Sequence, residues 1–131
     1  MTGKRRPTWL RRRIRDAADE ATIRELTRAM AGNDERRVHG LLHRSATVVV
    51  DGGGRVPAES RPGGRSAPSA ELVALMTTGT TATMASINGV PGITLVRDGR
   101  VAGVITAEVR SGRLLTVWVV CNPEKLRHWN R

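Results

Sequence analysis

Apolar residues recur at spacings of three and four in the first third of the chain and at spacings of two in the last half, so helices are expected before strands. Residues 16 to 30, DAADEATIRELTRAM, place Ile23, Leu26 and Met30 on one side behind an acidic first turn, the pattern of an amphipathic helix. The following AGND breaks it. Asn33 or Asp34 can then cap a shorter second helix carrying Val38, Leu41 and Leu42 on one side, which completes an αα-hairpin. From Thr47 the β-branched residues predict a strand that ends at Asp51 and a run of glycines. Residues 52 to 68 are mostly Gly, Pro, Ser and Arg and read as an irregular loop. A third helix is expected after Pro68, capped by Ser69, with Leu72, Val73, Leu75 and Met76 as its apolar face and a stop near Gly79. The rest is strand. TATMASINGV alternates, and Asp98-Gly99 and Ser111-Gly112 each separate two apolar runs, as tight hairpin turns do. The expectation is an antiparallel meander of three to four strands and an α+β fold, a curved antiparallel sheet wrapped on N-terminal helices.

Composition narrows this picture. A chain of 131 residues is long enough for one core, and with no Phe or Tyr, and Trp9, Trp118 and Trp129 as the only aromatics, that core must be built from Val, Leu, Ile, Met and Ala. The net charge of +10 is uneven. Lys4, Arg5, Arg6, Arg11, Arg12, Arg13 and Arg15 stand before any acid, which makes residues 1 to 15 a basic, disordered arm and residues 16 to 131 the single folded domain. Such an arm implies weak, nonspecific contact with nucleic acid that fades with salt. Cys121 is the only cysteine, and no Cys/His grouping has zinc spacing, so neither a metal nor a cofactor is called for. The arginines of the arm lead into an acidic segment rather than an apolar signal sequence, and no segment has the roughly 18 apolar residues of a membrane span. The expected location is cytoplasmic, with no membrane partner.

Two stretches carry more specific information. The first is VVVDGGGRVP, residues 48 to 57. A phosphate-cradling loop would open directly into a helix, whereas this one runs on through Pro57 and Pro62; by local physics it is a turn or bulge at a strand end. The second is CNPEKLRHW, residues 121 to 129, where Asn122-Pro123 ends strand pairing and the next residues can begin a helical turn. In this order, with PGITLVRDGRVAGVITAEVRSGRL between them, they resemble the SnoaL-like domain at the C-terminus of a group of extracytoplasmic-function RNA polymerase sigma factors. That group carries an Asp-Gly-Gly-Gly-Arg/Lys motif, matched by Asp51, Gly52, Gly53, Gly54 and Arg55. Its final Asn-Pro-Asp-Lys-Leu motif is matched by Asn122, Pro123, Glu124, Lys125 and Leu126, with Glu124 in place of Asp.

The resemblance covers about residues 14 to 128. It implies the cone-shaped SnoaL-like fold of nuclear-transport-factor-2-like proteins. It also implies a regulatory extension that contacts the promoter-binding regions and modulates engagement with core polymerase, so that the partners are a sigma factor or RNA polymerase. The two helical regions that bind polymerase and promoter are not in this chain, and Trp9-Leu10 runs into arginines where the family's linker reads Trp-Leu-Pro-Glu-Pro. A free-standing accessory domain, or the remnant of a truncated gene, is the expectation. Within the resemblance Asp51 shapes the glycine loop, by accepting from backbone amides or pairing with an arginine such as Arg55, beside the C-terminal motif.

Other readings compete. Arg36, Arg37, His39, His43 and Arg44 along the second helix invite a helix-turn-helix reading, but that motif needs a compact trihelical unit rather than a helix followed at once by a strand. Cone folds often enclose a pocket, and relatives such as polyketide cyclases and steroid isomerases place a buried carboxylate or histidine there. Here Asp51, Glu108, His39, His43 and His128 are the available groups, with Glu108 and Trp118 as candidate pocket residues. No catalytic residue is assigned. A small-molecule-binding or isomerase-like cone protein is therefore the alternative to regulation by protein contact, and a closed, aliphatic cone would favour the latter. Dimerisation through the outer face of the sheet is compatible with either.

Overall fold

In a computed structural model that describes residues 7–52 and 66–130, helix α1 (Thr8–Ala31) starts directly after an extended Pro7. The helix therefore takes in the second half of the segment expected to be a disordered arm; residues 8 to 15 join it because Leu and Arg are good helix formers and the nearest breaker upstream is Pro7. Residues 1–6 lie outside the described residues. Ile23, Leu26, Ala29 and Met30 are fully buried, as their spacing demands. At the end of α1, Asn33 takes a left-handed φ of 54°, its N–H donating to Met30 O (2.9 Å) and the Asp34 N–H to Ala29 O (2.8 Å), which satisfies two of the helix's last carbonyls. Asp34 then caps α2 (Glu35–Leu41) by accepting from the Arg37 N–H at 3.1 Å.

Leu42, expected on the second helix, opens strand β1 instead (Leu42–Asp51), five residues before Thr47. After the undescribed 53–65 segment, α3 (Ser66–Ala74) begins earlier than expected, with Pro68 in its first turn, where a missing N–H is harmless. Ser69 is consequently not a cap but a buried residue. The helix also ends at Ala74, five residues short of Gly79, which turns at φ 85° into the sheet. Strands β2 (Thr80–Ile87), β3 (Val90–Arg97), β4 (Arg100–Arg110) and β5 (Arg113–Val120) follow as a meander. Asp98-Gly99 and Ser111-Gly112 are two-residue turns with both residues at positive φ. So is Asn88-Gly89, which divides the TATMASINGV segment read above as one strand.

The strand order is β1-β5-β4-β3-β2. β1 pairs parallel to β5, so the sheet is mixed rather than antiparallel. No hairpin links these two strands; α3 and the whole meander lie between them, and the connection leaves β1 free to run either way. The three helices cover one face. There Ile23, Leu26, Met30, Val38 and Leu72 meet Val48, Ile93, Leu95, Ile105, Val117 and Val119 in an aliphatic core without aromatic rings. Strand alternation turns Trp118, 42% exposed, to the opposite, outer face.

Candidate functional site

Because β1 and β5 run in parallel, their C-terminal ends meet at one edge of the fold. Asp51 is the partner of Val120, and the Cys121 N–H extends the pairing by donating to Asp51 O at 2.7 Å. Bridge partners project to the same face, and Val120 belongs to the small cluster outside the main core, so Asp51 points outward as well. Its carboxylate meets the Lys125 ammonium. The two sequence motifs, separated by most of the chain, are thus joined by an ion pair.

The residues after β5 explain why Lys125 arrives there. Asn122 accepts the Glu124 N–H on its side-chain oxygen at 3.0 Å, an Asx turn, and its carbonyl accepts from the N–H groups of Lys125 (3.0 Å) and Leu126 (3.1 Å). Pro123 fits the first position of this turn, where it has no N–H to satisfy. The turn drives Leu126 into a pit formed by Ile87 and Val104, with Val101 and Val120 at its edge; Leu126 is 3% exposed. Gly92 keeps room for this pit, since a Cβ there would lie 2.3 Å from Ile87 Cδ1 and 2.6 Å from Ile105 O.

A second anchor follows in the 3₁₀ turn Arg127–Asn130. Asn130 accepts the Val101 N–H at 2.7 Å and donates to Val101 O at 3.0 Å. β5 stops at Val120, opposite Val104, so it leaves the part of β4 around Val101 without a neighbour on that side. The Asn130 carboxamide supplies the donor and acceptor that a longer β5 would have offered. Nothing in the local sequence signals this role, which depends on where β5 ends.

The clasp has surface character. Asp51 is half-buried, Lys125 exposed, and Glu124 pairs with Arg127 at 3.1 Å in the open. Two grooves flank Leu126. One, of about 580 Å³, has Ile87, Val104, Val120 and Trp129 along it. The other, of about 380 Å³, has Arg97, Arg100, Cys121 and Pro123. Burial pushes the Cys121 thiol above its ordinary pKa against the lowering effect of Arg97, with Asp51 adding to the rise, so it is protonated and unreactive at neutral pH.

The remaining sequence candidates lie elsewhere. Gly52 is described and exposed, whereas Gly53, Gly54 and Arg55 lie outside the described residues. Glu108 and Trp118, named as candidate pocket residues, are exposed on the outer face, beside Arg110 and Thr106 respectively; alternation along β4 and β5 gives the inward positions to Ala107, Val117 and Val119. The helix-turn-helix candidates are split between elements: α2 is only seven residues long, and His43 and Arg44 belong to β1. Among the described residues the buried polar side chains are Thr22, Ser69 and Thr94, with no Asp, Glu or His. No helix among them is long and apolar enough to cross a membrane.

No protein-family model and no curated protein matches the chain. Solved structures do. The extracytoplasmic function sigma factor SigJ of Mycobacterium tuberculosis is similar with a TM-score of 0.59 and 22% identity, over 92% of this chain and 48% of its own, so the chain spans about half the length of that sigma factor. An NTF-2 like protein of unknown function from Burkholderia xenovorans is similar over 90% of this chain and 97% of its own (TM-score 0.60, 16% identity). IdmH, a proposed polyketide cyclase from Streptomyces antibioticus, is similar over 83% and 95% (TM-score 0.55, 18% identity). Identities this low speak to architecture. With its helices packed on one face of a five-stranded mixed sheet, the chain has the SnoaL-like, nuclear-transport-factor-2-like cone fold.

Proposed function

We propose that the chain is an accessory domain that regulates transcription initiation by protein contact, with the clasped end of the sheet as its contact surface and an extracytoplasmic-function sigma factor or RNA polymerase as its partner. The observation that carries this reading is the Asp51–Lys125 pair, which joins the end of β1 to the C-terminal motif on the outward-facing side of the sheet. The likeness to SigJ supports it, as does a core filled by aliphatic side chains with no buried carboxylate or histidine among the described residues. The likeness to IdmH, nearly all of whose chain is covered, favours instead a small-molecule-binding cone protein. That reading calls for an inward carboxylate or histidine, which the described core does not offer.

The test is co-elution of the full chain with core RNA polymerase and with an extracytoplasmic-function sigma factor lacking its own extension, at low and high salt. Binding that survives high salt and is lost in Asp51→Ala or Asn122→Ala is the expected result. Binding seen only at low salt, or equal in the variants, overturns it.

A further inference from the structure

The opposite end of the β1–β5 pair holds a separate feature. Leu42 pairs with Leu114, so both strands enter the sheet side by side, and His43, Arg44, Ser111 and Arg113 line a pocket of about 380 Å³ there. Two of these groups are fixed. Arg113 donates to Gly40 O at 2.9 Å, which ties its guanidinium to the end of α2. His43 Nδ1 accepts the Ser45 N–H at 3.0 Å, so the neutral ring carries its proton on Nε2 as its remaining donor. The Ser111-Gly112 turn is itself held to α1, through the Thr22 hydroxyl donating to Gly112 O at 3.4 Å. The other two groups are unspent: among the described residues Arg44 and the Ser111 hydroxyl make no side-chain hydrogen bond or ion pair.

We propose that this pocket is a binding site for a phosphoryl group. Two guanidiniums line one concavity with no carboxylate among its described lining residues, so an anion relieves their mutual repulsion. The donors available, two guanidinium forks, a hydroxyl and an imidazole N–H, exceed what the two oxygens of a carboxylate accept. They match the three terminal oxygens of a phosphoryl group. The volume leaves room for the group to which the phosphate is attached.

The experiment is an NMR titration of the full chain with inorganic phosphate, with chloride at matched ionic strength as the control. Saturable shifts of the amides of residues 43–45 and 111–113 are expected. Arg44→Gln, which removes a guanidinium that makes no hydrogen bond or ion pair among the described residues, should weaken phosphate binding about tenfold. Arg100→Gln, an equal loss of charge at the other end of the sheet, should leave it unchanged. Shifts reproduced by chloride, no saturable shifts at all, or equal binding by Arg44→Gln and the parent overturn the proposal. A nucleoside 5′-monophosphate and a short single-stranded oligonucleotide then separate the sources of the phosphoryl group. Tighter binding of the monoester indicates a small phosphorylated ligand, and tighter, steeply salt-dependent binding of the oligonucleotide indicates a nucleic-acid backbone.

Discussion

At the two ends of the parallel β1–β5 pair, the same two strands treat charge in opposite ways. Where the strands end, Asp51 and Lys125 neutralise each other, and the chain beyond β5 is held by an apolar plug and a side-chain amide. Where they begin, His43, Arg44 and Arg113 gather without a carboxylate among the pocket's described lining residues. One end is a surface on which Asp51 and Glu124 each pair with a cation of the C-terminal segment. The other is a concavity whose charge is left for a ligand. Substitutions at the first end should therefore register in stability and in partner binding, and those at the second in anion binding alone.

The largest effect on this contrast should come from Leu126→Ala. It empties the pit over Ile87 and Val104 and should cost about 3 kcal/mol, read as a lower denaturation midpoint. Asn130→Ala comes next. It strips Val101 of both side-chain partners in a partly buried setting, for a loss of about 1–2 kcal/mol by the same measurement. Either substitution should also speed alkylation of Cys121 at mildly alkaline pH. Opening the clasp removes the burial that raises the thiol pKa, so more thiolate forms at the same pH. A double-mutant cycle of Asp51→Ala and Lys125→Ala should return under about 1 kcal/mol of coupling, because Lys125 is 61% exposed. Smallest of all, Arg44→Gln should leave stability within about 0.5 kcal/mol of the parent. A large loss there would show that Arg44 supports the fold and would erase the distinction between the ends.

Both ends were only partly legible in the sequence. The periodicities of Ile23, Leu26 and Met30 and the Asp98-Gly99 and Ser111-Gly112 turns led directly to α1 and the meander, because each rests on local backbone preference. Asn88-Gly89 carried an equally strong turn signal that the alternation around it concealed. The parallel pairing of β1 with β5 has no local signal, and on it depends everything that brings distant residues together. Thus Asp51 and Asn122 were identifiable as motif positions, while the pairing of Asp51 with Lys125 required the topology. Glu108 and Trp118 sit on strands whose direction alternation defines only up to a choice of face, and the core claimed the other face. Asn130 and the pocket of Arg44 and Arg113 were invisible for the same reason as the clasp: each is made by where a strand starts or stops.

The most direct test of the central claim is hydrogen exchange of the full chain, alone and with an extracytoplasmic-function sigma factor lacking its own extension. If the clasped end is the contact surface, binding should slow exchange at residues 49–52 and 121–127 and leave residues 43–45 and 111–113 unchanged. Protection confined to the basic end, or no protection at the clasp in a complex that does form, would contradict it.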